Sequence, residues 1–552
     1  LKKKTGQNFV FGALILMVSN VIVKMIGAMF KIPLTNLIGL RAMAYFNAAN
    51  SIYVSFYMIS TAGIPVVISR MIAASNTKGN AKEVKKIFNI AYYIFLFIGI
   101  LGTTIMIAFS RFFAKSAALP NSYYAMIAIA PTLFFICLSS AYRGYFQGLQ
   151  NMVPTAISQV IEAVGKISIG LIAGWYCISN GFPMHKVAAF VILGVTIGVA
   201  AGTVYMHISK VMYNNVLKAE IPLPEEKTLP CRSNKSILKE LCLTALPIAI
   251  SASIMGLTNV VDTMLVTKRL MFSGLTNDIA TQFYGAYTSM TIPLFNMPPI
   301  LIYPFAISAI PVLSAALVKN DFKKTKGTVE STFRITSIIS IPCALGLSAL
   351  SYPVLKLLYS NVLIEGTKLH SLDIAAPALS VMAIAIFFMS MISITNSVLQ
   401  AWRKENKPIY ATTFGILVKI ISAYFLLAIP NFGIMGAAIS SALCYFTIMS
   451  INLYFVIKTT GYIPNIGRVF LKPFISGLLC TVVALSFYHF TTGFLSIKIS
   501  VLIALILAVL VYFVLLAFFH GLYREDMILL PKGEKICALF EKLHILTDSG
   551  EK

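Results

Sequence analysis

Charge is scarce in this chain: Asp, Glu, Lys and Arg make up only 11% of 552 residues, where soluble domains carry roughly a quarter. That shortage excludes a globule wrapped in a water-solvated shell, and a mean hydropathy of +0.84 makes lipid the main solvent. Acidic residues are the rarer sign, 19 against 44 Lys and Arg. The excess of positive charge does not indicate nucleic acid, because no soluble basic domain is there to carry it. The six histidines do not cluster, and the eight cysteines lie scattered without C-x-x-C spacing. Neither a metal site nor a disulfide framework is expected. No cofactor is indicated, and coupling to Na+ or H+ stays open.

Long apolar runs are what the sequence has in abundance. Spans are expected at 8–31, 44–72, 87–110, 122–142, 154–179, 187–212, 237–264, 282–317, 328–350, 372–399, 408–430, 434–457, 468–490 and 498–520. Each is expected to be helical, since an isolated spanning segment must satisfy its backbone hydrogen bonds internally. Lys2, Lys3 and Lys4 precede the stretch Phe9 to Phe30, which is too long for a signal-peptide core and reads as the first span. Basic residues gather in alternate connections, for example Lys78, Lys82, Lys85 and Lys86, then Lys319, Lys323, Lys324 and Lys326, then Arg403, Lys404 and Lys407. The opposite connections hold fewer, such as Arg111, Lys115 and Lys186. The expected location is the bacterial plasma membrane, with both termini cytoplasmic.

Internal repetition organises these spans. Gly63-Ile64-Pro65 late in the second span answers to Ala309-Ile310-Pro311 in the eighth, and each is followed by a basic turn. Ala130-Pro131 answers to Ala376-Pro377, and Gln147 to Pro154 answers to Leu399 to Pro408. Matched markers keep their orientation, so the fold class expected is an all-α membrane protein of about fourteen helices in two parallel six-helix repeats. The expected organisation is an N-terminal lobe at 1–212, a polar linker at 213–236, a C-terminal lobe at 237–458, two further helices within 459–520 and a cytoplasmic tail at 521–552.

Few ionisable groups lie within spans, and each carries a cost that calls for a reason. Lys24 is midway along the first span. Glu162 and Lys166 stand four apart on one helical face and are expected to pair. Lys419 occupies nearly the same place in the eleventh span as Lys166 in the fifth. Asp262 lies late in the seventh span near Lys268 and Arg269, and Arg143 ends the fourth. Snorkelling, a structural ion pair and interfacial placement are the bland alternatives for these groups. The deep charges nevertheless lean cationic. Lys24, Arg143, Lys166 and Lys419 form the candidate substrate-binding set for an anionic group such as a pyrophosphate, with Glu162 and Asp262 as coupling or structural charges. The eighth span holds Pro293, Pro298, Pro299, Pro304 and Pro311, so it must bend. With Pro65 in the second span, Pro293, Pro298 and Pro299 mark candidate bending elements.

Several stretches resemble one family. Lys24-Met25-Ile26-Gly27 with Lys31-Ile32-Pro33-Leu34, Tyr45-Phe46-Asn47, Ile59 to Pro65, Tyr142 to Gly148, Met152 to Ala156, Val261-Asp262-Thr263 and Asn296-Met297-Pro298 are similar to the stage V sporulation protein B group. That group belongs to the multidrug/oligosaccharidyl-lipid/polysaccharide (MOP) exporter superfamily, beside the MurJ-type lipid II flippases. The resemblance covers about residues 10–460. It implies a two-lobe alternating-access transporter, not an enzyme, that moves an undecaprenyl-pyrophosphate-linked saccharide such as lipid II to the outer leaflet. It also implies a lipid-tail groove along 468–520, and cell-wall or spore-cortex synthesis proteins as partners. This chain has Lys24 where such flippases more often carry Arg, which keeps charge but loses the bidentate fork. A cation-coupled multidrug exporter and a membrane-embedded glycosyltransferase are the competing readings. The connections are too short to offer a glycosyltransferase more than Glu365 and His370.

Overall fold

The computed structural model describes residues 9–61, 64–220, 232–319, 321–430, 432–523 and 526. Among them the chain is helical throughout, with no strand beyond one isolated bridge between Leu363 and His370. Among the described residues, twelve segments are long and apolar enough to cross a membrane. One of them, Val18–Met58, is 41 residues long and takes in most of the first expected span and the first half of the second, broken at Gly39; the rest of the second falls on Ile64–Thr77 beyond it. The backbone at Gly39 turns through φ 74° and ψ 173°, which glycine adopts without a Cβ penalty. The seventh expected span falls within a 39-residue helix, Asn234–Phe272, so each expected span has a helical counterpart.

By Cα packing the chain forms two compact units, Leu1–Lys268 with Ala280–Gly285, and Arg269–Ile279 with Ala286–Lys552. The first contains α1 (Phe9–Thr61), α2 (Ile64–Thr77), α3 (Ala81–Ala108), α4 (Ser110–Ser116), α5 (Tyr123–Ile129), α6 (Pro131–Gly148), α7 (Val153–Ser179), α8 (Met184–Glu220) and most of α9 (Asn234–Phe272). Its densest core gathers Ile68, Phe88, Phe95, Phe146 and Met206, and Ile237 and Leu241 from the start of α9 are buried in the same cluster. Arg232 adds an ion pair to Glu83 at 2.5 Å. This packing is why α9 belongs with the first unit, although the sequence places the divide at 213–236. Residues 221–231 of that linker lie outside the described residues.

The second unit contains the start and the last residue of α10 (Asn277–Ala286), whose middle, Ala280–Gly285, belongs to the first, then a π-helical turn at Tyr287–Thr291, α11 (Ile292–Val318), α12 (Phe322–Ala349), α13 (Ser351–Leu358), α14 (Ser371–Ala401), α15 (Lys407–Leu426) and α16 (Met435–Thr460). A second π turn at Gly467–Leu471 then leads into α17 (Lys472–Thr491), followed by α18 (Ile497–Phe518). Each π turn ends two residues before a proline, Pro293 or Pro473. A proline ring displaces the carbonyl four residues earlier and offers it no N–H. For Pro293 that carbonyl belongs to Ser289, and the Tyr359 hydroxyl donates to it at 3.0 Å. Pro342, inside α12, frees the Ile338 carbonyl in the same way, and the Tyr512 hydroxyl on α18 donates to it at 2.8 Å. Tyrosines thus satisfy backbone groups that lipid would leave unpaired.

Large apolar side chains such as Phe97, Trp175, Phe414, Val514 and Phe518 stay exposed on helix faces. In water that pattern would drive aggregation; in a bilayer it is the lipid-facing surface.

Candidate functional site

In the first unit the expected charges divide between α1, α6 and α7. Lys24 is exposed on α1. Seven residues on, the Lys31 ammonium donates to Asn47 Oδ1 at 2.9 Å, joining the two halves of α1 across the Gly39 turn. Lys31 was quoted in a family motif without being singled out as a site residue. Its signal was a second lysine beside Pro33 in an otherwise apolar run. Lys166 on α7 sits 5.7 Å from the centre of the Phe30 ring and close enough to Lys31 for their charges to repel.

The expected Glu162–Lys166 pair is not what forms. Glu162 accepts from Arg143 Nη2 at 2.5 Å, with the two side chains 15% and 11% exposed. The guanidinium of α6 reaches the carboxylate across the helix interface and leaves Lys166 to the aromatic ring, since Arg matches a carboxylate better than an ammonium does. Arg143 is therefore a member of a largely buried ion pair. Its Nε and the Oε1 of Gln159, one turn before Glu162, are buried and lack hydrogen-bond partners among the described residues. Tyr53 and Tyr57 of α1 complete the surroundings.

Asp262 is buried in α9, beside Thr263, whose hydroxyl is 3.0 Å from the Tyr284 phenol. Arg269, expected next to Asp262, instead donates from Nε to the Tyr424 carbonyl at 2.9 Å. Its guanidinium lies 3.9 Å from the centre of the Tyr424 ring. Lys419 is buried on α15, one turn beyond Gly415, whose backbone lies against Cys444 and Ile448 of α16. Pro65 is the second residue of α2, just past the end of α1 at Thr61, and Pro298 and Pro299 lie within α11.

The second unit also holds an apolar cavity of about 460 Å3 between α12, α14, α16 and the turn into α17. Phe333, Phe387, Met391, Leu453, Phe470 and Phe474 are among its walls, and Thr395 is its one side chain with a hydroxyl. Of the two last helices only the α17 end contributes, through Ile466 to Phe474. Beneath this wall lies a charged cluster with no counterpart in the sequence reading. Arg334 of α12 forks onto Asp526, Nε to Oδ2 at 2.5 Å and Nη2 to Oδ1 at 2.6 Å. Glu330 accepts from the Tyr462 hydroxyl at 2.6 Å, and burial together with that bond raises the Tyr462 phenol above its ordinary value. At the base of the first unit, the hydrogen bond from Arg232 to Glu83 holds the guanidinium above its ordinary value too.

Comparison with known proteins agrees with this architecture. Residues 9–317 match the polysaccharide biosynthesis protein family, and residues 247–425 match the MatE family. Stage V sporulation protein B of Bacillus subtilis (strain 168) is 24% identical over 435 residues, covering 79% of this chain and 80% of that protein. Lipid II flippase MurJ of the same organism is 24% identical over 467 residues, covering 82% and 83%. Among solved structures, lipid II flippase MurJ in an inward closed conformation aligns with a TM-score of 0.63 at 15% identity, over 93% of this chain and 98% of that one. An inward-facing multidrug resistance MATE family transporter of the MOP superfamily aligns with a TM-score of 0.61 at 12% identity, over 81% and 98%. Fold and relatives define the class, a multi-pass membrane protein with the fold of the MurJ and MATE family transporters. Within it, the chain belongs to the polysaccharide biosynthesis protein family.

Proposed function

We propose that this protein is a flippase for an undecaprenyl-pyrophosphate-linked saccharide, lipid II being the favoured cargo. The observation that carries the proposal is the cationic set of α1, α6 and α7, where Lys24, Lys31, Arg41, Arg143 and Lys166 stand against a single carboxylate, Glu162. Ammonium and guanidinium groups suit the acceptor oxygens of a pyrophosphate. The apolar cavity of the second unit supplies a surface of the kind an isoprenoid tail needs. On this reading Lys419 and Asp262 are structural or coupling charges, both termini face the cytoplasm, and Pro65 and the α11 prolines bend during alternating access.

The match to the MatE family over 247–425 favours one second reading, a cation-coupled multidrug exporter. The two separate on one substitution. Lys24→Ala in a flippase abolishes outward movement of the lipid-linked saccharide while the protein remains at normal levels in the membrane. Normal precursor flipping by that variant, or a drug-resistance phenotype on expression, contradicts the flippase reading.

A further inference from the structure

The Arg143–Glu162 pair has a feature that a purely structural ion pair lacks: spare hydrogen-bonding capacity. Glu162 engages one guanidinium nitrogen, while Nε of Arg143 and Oε1 of Gln159 are buried without partners among the described residues. Polar groups at this depth are costly unless something occupies them. Beside Glu162 stand Arg143 from α6 and Tyr53 from α1, with Tyr57 of α1 next to both Tyr53 and Arg143 and Cys137 of α6 next to Tyr53; one turn on along α7, Lys166 lies over the Phe30 ring. From α8 the backbone of Gly202 packs against it, where a Cβ would sit 2.7 Å from Glu162 Cγ. Arg143 is thus the guanidinium beside Glu162, and the carboxylate occupies it as a phosphate oxygen would.

Resting on the flippase reading, we propose that substrate and Glu162 exchange on Arg143, and that Glu162 takes up a proton when the anionic head group displaces it. The step balances. The Arg143–Glu162 hydrogen bond breaks, a phosphate oxygen takes the guanidinium, and the freed carboxylate accepts one proton from the buffered solvent, whose acid form becomes its conjugate base, to become the neutral acid. A carboxylate that keeps its charge after losing its partner in this setting would be an uncompensated buried ion, and protonation removes that cost. Release of the lipid reverses each change. Binding and protonation are then linked, and the linkage is reciprocal: acid tightens lipid binding, and bound lipid holds the proton.

The test uses the full-length protein in detergent micelles and, as probe, a farnesyl-pyrophosphoryl-N-acetylglucosamine diester, which has no acidic proton near neutral pH. Isothermal titration at one pH in two buffers of different ionisation enthalpy counts protons exchanged per lipid bound. The wild type is expected to take up about one proton and to tighten by up to about tenfold per unit fall in pH. Glu162→Gln is expected to take up none and to bind with pH-independent affinity. Glu162→Asp, which keeps the titrating group, is expected to restore uptake. His207, paired with Tyr142 at 2.7 Å, is present in all three proteins and so cancels in the comparison. Wild-type binding without proton uptake, or undiminished uptake in a folded Glu162→Gln, overturns the proposal and leaves the flippase reading standing. Absence of probe binding by the wild type at every pH overturns both. Because the wild-type proton count is decisive alone, a variant that fails to fold does not shield the proposal.

Discussion

Removing Asp526 provides the sharpest energetic test of how the second unit is built. Its carboxylate and Arg334 are 0% and 3% exposed, joined by two short bonds in fork geometry. Solvent screening is therefore small, and the relevant quantity is the penalty for leaving one buried charge without its partner, about 3–5 kcal/mol. Glu330, 3.8 Å from Arg334 Nη1, offers partial compensation, which places Asp526→Ala toward the lower end of that range. With a slope of roughly 2 °C per kcal/mol for a unit of this size, the midpoint of thermal unfolding should fall by about 6–8 °C. Unfolding followed by tryptophan fluorescence or by light scattering in micelles measures it. The double variant Arg334→Met, Asp526→Leu removes both charges together, and it should recover most of the loss, because well-packed apolar side chains often match a buried pair. A drop below about 1 °C in Asp526→Ala, or a double variant no better than the single, refutes this account of the cluster.

Four further outcomes follow from the packing. Tyr359→Phe leaves the Ser289 carbonyl freed by Pro293 without its hydroxyl donor, costing about 1–3 kcal/mol; amide exchange around Tyr287–Thr291 should accelerate. Gly198→Val should destabilise by about 1–3 kcal/mol or more, since a Cβ there would sit 2.7 Å from the Glu162 carbonyl where α7 meets α8. Gly27→Ala, with nothing within 4 Å of its new methyl, should be neutral or slightly stabilising in the same thermal assay. Met391→Trp fills the apolar cavity and should weaken binding of a long-chain polyprenyl pyrophosphate more than that of a short-chain one; equal loss for both would remove the cavity from the tail-binding proposal.

Most of the fold was legible in the sequence because a bilayer leaves a chain few choices. Apolar runs of about twenty residues have to be helices, so spans such as 154–179 fall within a residue or two of α7 at Val153–Ser179. Less legible was what tertiary contact decides. Glu162 and Lys166 share a helical face, and local spacing favoured their pairing, but the partner came from α6, 19 residues earlier. Arg269 was read with its sequence neighbour Asp262 and was taken instead by Tyr424, 155 residues away. Asp526 lies in the stretch expected as a cytoplasmic tail, and its bond to Arg334 spans 192 positions that no local pattern encodes. The prolines were legible as bends; the hydroxyls that complete them, Tyr359 and Tyr512, were not.

The central claim, outward movement of a lipid-linked saccharide, is tested most directly in a bacterial strain depleted of its own lipid II flippases. The measurement is the fraction of lipid II accessible at the outer face of the membrane after this protein is expressed. The account predicts that accessibility and growth are restored by the wild type, and that Lys24→Ala restores neither at equal membrane abundance. Accessibility that stays at the depleted level with abundant, folded wild-type protein would contradict the assignment of lipid II as cargo.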